Sequence, residues 1–277
     1  MQISRPARRS GGFRKLWRPK EKIPQALAVV LGSSAFALVL LAWSVLTYGG
    51  FVPPLFLPSP TEVIVSGYRA FTQFGLWNDI AASVYRVSAG WFLAALLGVP
   101  LGILMGSLRV VAAFIEPLIG FIRYMPASAF IPLLILWVGI DDSEKIAVIF
   151  IGTFFQLVIM IADVAKNVPK DLLESSYTLG ARPGQVLWRI LLPASLPGIV
   201  DTLRITLGWA WTYLVVAELV AAASGLGHMI MDAQRYLRTA NIIVGIVIIG
   251  LLGMVLDLFF KMLHRGLFPW MSREGKG

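Results

Sequence analysis

The chain has no cysteine, which excludes disulfide frameworks, thiolate metal sites and thiol catalysis. Histidine is nearly as scarce. His228 and His264 stand far apart, and His264 sits near Lys261 and Arg265, so it reads as part of a basic cluster at a membrane surface and no metal site is expected. No G-x4-G-K-[ST] phosphate loop, G-x-S-x-G elbow or H-E-x-x-H zinc motif occurs, so no catalytic residue is assigned and ATP binding by this chain is not expected. Charge is thin as well. Only 14% of residues are Asp, Glu, Lys or Arg, too few to clothe an ordinary soluble domain.

Apolar residues fill the space that charge leaves. They make up 57% of the chain and the mean hydropathy is +0.78, so the fold class is an all-α polytopic membrane protein. About six transmembrane helices are expected, at 26–48, 84–108, 110–140, 146–162, 196–222 and 242–263. The first run is longer than a signal-peptide core and lacks a cleavage site, so it is read as a retained anchor. The third is too long for one straight helix and contains Pro126 and Pro132. Reading it as one broken or re-entrant element leaves four crossings before residue 163. The amino terminus and the loop 163–194 then share a side.

The sign of the charge follows that arrangement. Net charge is +9, but the cations fall on tails and loops, which makes them topology determinants and lipid anchors rather than a nucleic-acid surface. Seventeen lie on the inner side: Arg5, Arg8, Arg9, Arg14, Lys15, Arg18, Lys20, Lys22, Arg109, Lys166, Lys170, Arg182, Arg189, Lys261, Arg265, Arg273 and Lys276. Five lie outside, namely Arg69, Arg86, Lys145, Arg235 and Arg238. Both termini are therefore expected in the cytoplasm. The chain divides into a basic segment 1–25, the span 26–48, an outer segment 49–82, a membrane core 83–265 holding the loop 163–194, and a tail 266–277. In the outer segment Ser59-Pro60-Thr61-Glu62 is a helix start, and Val63, Ile64, Tyr68, Phe71 and Phe74 follow at helical spacing, so an amphipathic surface helix is expected. Asp141, Asp142 and Glu144 read as a solvated outer turn.

Two features speak to packing. Gly90, Ala94, Gly98, Gly102 and Gly106 recur every fourth residue and let another helix approach closely. Glu116, Arg123 and Arg204 lie inside apolar runs, with Glu218 near an outer end, where each charge costs ~3 kcal/mol unless paired or hydrated. Glu116 and Arg123 are seven apart, as are Arg204, Trp211 and Glu218, so each set shares a helix face. Interhelix ion pairs and a lining for an anion path are both open for them.

The loop 163–194 reads as two short amphipathic helices joined at Gly180. Ser175, Ser176, Leu179 and Val186 supply a small or apolar face suited to docking. Glu174-Ser175-Ser176, three residues, Gly180, nine residues, then Ile190, Leu192 and Pro193 resembles the E-A-A-x3-G-x9-I-x-L-P loop of the permease subunits of ATP-binding-cassette (ABC) importers, with serines for the two alanines. The resemblance extends from about residue 50 to 265. Phe56-Leu57-Pro58-Ser59-Pro60, Ser83-x2-Arg86-Val87-x2-Gly90, Glu116-Pro117, Arg123-x2-Pro126, Leu203-Arg204-Ile205-x-Leu207-Gly208 and Ala217-Glu218-Leu219 before Gly225-Leu226-Gly227 look like the taurine, alkanesulfonate, nitrate and bicarbonate branch. Tyr124-Met125 stands where Pro-Val is more usual and Thr206 replaces a frequent glycine, both near the presumed path.

That resemblance implies a type I importer permease in a bacterial inner membrane, forming a homodimer with two ABC ATPase subunits and fed by a separate extracytoplasmic binding protein. Glu174 through Pro193 would couple the permease to the ATPase. The subunit itself would carry no cofactor, ATP and Mg belonging to the partner. The expected substrate is a small anion, taurine or another sulfonate first, with nitrate, bicarbonate or a pyrimidine-type nutrient open. A stand-alone secondary transporter or channel is the alternative, though the two halves show no internal match. A membrane scaffold is disfavoured by the intramembrane charges.

Overall fold

The computed structural model describes residues 23–271. The basic residues before Ile23 and after Met271 lie outside them, as do Arg273 and Lys276. The chain separates into two units, 1–61 and 62–277. In the first, α1 (Gln25–Tyr48) is apolar on every side and buries none of its spanning stretch within the protein, as a lipid-facing anchor does. Trp43 Nε1 donates to the Pro58 carbonyl at 2.9 Å and ties the following loop back to the helix. The helix α2 (Pro60–Gln73) starts at a proline, whose missing N–H costs nothing there.

The second unit is a helical bundle. α3 (Leu76–Ser107) carries the small-residue stripe, and α6 (Asp142–Lys166) lies directly on it. Gly90 faces Ile149, Gly98 faces Leu157, Gly102 faces Ile161 and Gly106 faces Ala165. Partner numbers rise together, so α3 and α6 run parallel. A Cβ at Gly102 would stand 2.7 Å from Ile161 and from the Val158 carbonyl, which is why that position lacks one.

Parallel neighbours need a return crossing between them. It is supplied by α4 (Arg109–Ile122), a 3-10 turn at Ala127–Phe130 and α5 (Ile131–Val138), which together reach from the end of α3 to the start of α6 with an 81° bend. Residues 110–140 are thus a broken span. Pro126 precedes the second piece and, lacking an N–H, keeps the first helix from resuming after its ladder tightens at Tyr124 and Met125.

After α6 come α7 (Lys170–Thr178), a single turn α8 (Pro183–Val186), a π-helical turn Leu187–Leu191 and α9 (Leu192–Ala221). The expectation of two separate short loop helices is corrected here. Only α7 stands alone, because α8 runs through the π turn into α9, and Pro193, unable to donate to residue 189, accounts for the widened turn. α9 runs antiparallel to α6, with Gly198 against Val164 near one end and Gly152 against Tyr213 higher up. α10 (Leu226–Arg235) is a short surface helix, and α11 (Thr239–Leu267) returns antiparallel to α9, since Arg204 pairs with Asp257 and Asp201 with His264. The second unit therefore makes five crossings. Residues 167–191 and the end of α11 lie at one end of it, and α10 at the other.

Candidate functional site

Three places concentrate polar chemistry, and the first is the loop after α6. Gly180 has φ +85°, a left-handed turn that β-branched residues resist, and open space surrounds its missing Cβ. Glu174 and Ser175 are exposed on α7, beside Leu179 at 88% exposure and Trp188 at 62%. Two large apolar groups so exposed on a polar loop make a surface that wants cover. Ser176 on α7 and Val186 on α8, assigned to the same face by spacing, are instead buried, because these short helices pack on each other and on the π turn. Both serines satisfy their hydroxyls inside the helix, Ser175 on the Asp171 carbonyl and Ser176 on that of Leu172, each at 2.6 Å, so they substitute for alanines without adding an unmet polar group. Ile190 and Leu192 are half-buried at the root of α9 and Pro193 is exposed there. Leu191 anchors this root in a core with Leu157, Ile161 and Ile199.

The second place is the break in the crossing span. A cavity of about 310 Å³ opens at mid-height of the bundle, lined by Arg123, Phe155, Gln156, Trp209, Thr212 and Tyr213. Irregular backbone at membrane depth is tolerated where it borders such a cavity. Arg123 caps the end of α4, stacks on the Tyr124 ring at 4.8 Å and donates to its hydroxyl at 2.9 Å. Among the described residues no carboxylate pairs with it. Glu116, expected on its face and in a buried pair, is half-exposed and lies 3.6 Å from Lys166 at the end of α6.

Arg204 differs. It lies 3.4 Å from Asp257 and 3.7 Å from Asp201, in a chain of charges that continues to Lys261 and His264. It lines a smaller cavity of about 210 Å³ with Trp211, whose buried indole N–H has no partner among the described residues. Positions 204 and 211 therefore share one cavity, while Glu218 lies apart from it in a buried network with Arg86. Thr206, also expected near that path, is fully buried between helices and is met by Trp91 Nε1 at 3.3 Å.

The third place lies at the opposite end from the loop. Glu218 is 1% exposed and accepts from Arg86 at 2.7 Å, from Ser83 at 2.8 and 3.0 Å, and from the Gly227 amide at 2.8 Å. Arg86 also donates to Asp142 at 2.8 Å and to the Ser224 carbonyl at 2.7 Å. Spacing had placed Arg86 and Lys145 among exposed outer charges and Asp142 and Glu144 in a solvated turn. Arg86, Glu144 and Lys145 are buried, and Lys145 Nζ donates to Glu144 at 3.1 Å and to the Ile140 and Asp141 carbonyls. The partners come from α3, α6, α9 and the loop before α10, which linear spacing cannot pair. Gln156 and Thr212 were also missed, although a polar residue in the middle of an apolar run is itself a signal.

Comparison with known proteins agrees with this architecture. Residues 98–273 match the family described as binding-protein-dependent transport system inner membrane component. The taurine transport system permease protein TauC of Escherichia coli (strain K12) is 35% identical over 91% of this chain and 94% of its own length. The putative aliphatic sulfonates transport permease protein SsuC of Bacillus subtilis (strain 168) is 35% identical over 86% of this chain and 87% of its own, and the nitrate import permease protein NrtB of Synechocystis is 30% identical over 96% of each. An inward-facing structure of the MetNI methionine ABC transporter superposes on 70% of this chain and 96% of its own with a TM-score of 0.62 at 22% identity. The secondary-transporter reading finds no support among these relatives, and the chain belongs to the binding-protein-dependent transport inner membrane family, as a multi-pass permease subunit of an ABC importer that is not itself an enzyme.

Proposed function

We propose that the permease carries a small sulfonate, taurine first, across a bacterial inner membrane after delivery by an extracytoplasmic binding protein. The observation that carries this reading is Arg123, a cation with no carboxylate partner among the described residues, at the mid-height cavity of a chain that is 35% identical to taurine and sulfonate permeases and 30% to a nitrate permease. An anion passing the break would find its countercharge there. Nitrate and bicarbonate stand behind the sulfonates.

Two permease copies and two ATPases complete the assembly in this reading. The exposed apolar face of α4, with Val110 and Phe114 each 84% exposed, suits a second copy or lipid. The segment from Glu174 to Pro193 docks the ATPase, which binds ATP and Mg, and the charge asymmetry supports a cytoplasmic position for that segment and both termini. Burial of Arg86 and Lys145 in ion pairs leaves only Arg69, Arg235 and Arg238 as outer solvent cations among the described residues, which sharpens the bias. The test is ATP-driven uptake into proteoliposomes holding the permease, its ATPase and its binding protein. Labelled taurine or ethanesulfonate should accumulate. Accumulation of nitrate or bicarbonate with neither sulfonate moving would overturn the substrate.

A further inference from the structure

We infer that the cavity at the α4–α5 break is a monoanion-selective site, in which Arg123 supplies the single countercharge and Gln156, Thr212, Trp209 and Tyr213 receive the anion's oxygens. This rests on the importer reading and adds to it a rule about charge.

Arg123 is the one group in the cavity lining that is charged at neutral pH. The four polar neighbours are uncharged, can each donate a hydrogen bond, and make none among the described residues. An oxyanion with three oxygens can meet the planar guanidinium with two of them and a neutral donor with the third. A dianion of the same shape leaves one charge uncompensated at membrane depth, with the next cation along α9, Arg204, engaged by Asp201 and Asp257. Phe155 and the two other rings then face the tail of the molecule and admit a short alkyl or ammonium-bearing chain.

Gly152 sets the depth of the cavity. Its absent Cβ would stand 2.6 Å from the Tyr213 ring, so glycine is what lets that ring lie against α6. Any side chain there pushes the ring toward the space the ligand needs.

An isosteric pair tests the charge rule. Purified permease–ATPase complex in nanodiscs, without binding protein, is examined by saturation-transfer NMR with methanesulfonate and with methylphosphonate held as its dianion in alkaline buffer. Methanesulfonate should bind about tenfold or more tightly than the dianion, a gap of at least ~1.4 kcal/mol. Arg123→Gln should remove the methanesulfonate signal and Arg123→Lys should keep part of it. Gly152→Ala should weaken hexanesulfonate more than methanesulfonate. Equal binding of monoanion and dianion, or wild-type binding by Arg123→Gln, overturns the site. If Arg123→Gln does not assemble, Thr212→Val decides in its place, unchanged methanesulfonate affinity there being the overturning result. Failure of the uptake experiment for sulfonates, with methanesulfonate still bound and lost in Arg123→Gln, would sink the proposed substrate and leave the site standing.

Discussion

Arg86 and Glu218 meet at 2.7 Å with 4% and 0% of their side chains exposed, which makes them the most deeply buried oppositely charged contact between separate helices among the described residues. Asp142, Ser83 and Ser224 take up the remaining hydrogen-bonding capacity, so the outer ends of α3, α6 and α9 are held by one satisfied network. Removing one partner strands the other. Arg86→Met leaves two carboxylates facing each other and should cost ~3–5 kcal/mol. Glu218→Gln keeps a shape that accepts hydrogen bonds and should cost less. Thermal unfolding of the purified variants checks the order, and a melting temperature for Arg86→Met equal to wild type would show that the network does not hold the bundle.

The helical glycines divide into tight positions on the α3 stripe and open ones elsewhere. Gly102→Ala and Gly106→Ala drive a Cβ into Ile161 and into the Ala162 backbone, where overpacking costs ~1–3 kcal/mol each. Gly253→Ala meets nothing within 4 Å and should be neutral. Detergent-solubilised yield and melting temperature should fall for the first two alone; equal behaviour of all three would remove the stripe from helix packing.

Much of this was legible from one-dimensional pattern. The spans follow from apolar runs, and the close contact of α3 follows from glycine at every fourth position, because both are properties of a single helix. Pairing is not such a property. Arg86 and Glu218 are 132 residues apart, and Asp142, half-exposed, joins them only because α3 and α6 run parallel. The π turn was hidden for another reason: Leu187 through Leu191 is locally ordinary, and only Pro193 after it forces the wider turn.

Topology is open to labelling in this cysteine-free background. Ser175→Cys, exposed on α7, should resist an impermeant thiol reagent in intact cells, whereas Leu237→Cys, 68% exposed after α10, should react. Labelling of the Ser175 site from outside would invert the bundle.

Arg204 is braced by Asp201 and Asp257 and keeps 27% of its side chain exposed, so its contribution should be nearer ~1 kcal/mol than that of a fully buried pair. Arg204→Lys should transport near the wild-type rate, because a cation remains beside two carboxylates. Loss of uptake in Arg204→Lys with unchanged assembly would move this residue onto the substrate path.

The loop after α6 offers the most direct test of the proposed coupling to the ATPase. Leu179, almost wholly exposed at the Gly180 turn, and Glu174 five residues before it form the candidate contact, while Ser176 and Val186 are buried where α7 and α8 pack on each other. Leu179→Glu should place a charge in what becomes an apolar interface, and Glu174→Lys should reverse a rim charge, so the first should weaken ATPase capture by ~2 kcal/mol or more and the second by less. Gly180→Val forces a β-branched residue to φ +85° and should displace the whole loop. All three substitutions face away from the core, so insertion and melting temperature should stay near wild type for Leu179→Glu and Glu174→Lys. Pull-down of the ATPase with purified variants gives the answer. Full capture and full substrate-stimulated hydrolysis with Leu179→Glu would take this loop out of the coupling role, whereas retained capture with lost stimulation would leave it transmitting motion without supplying the grip.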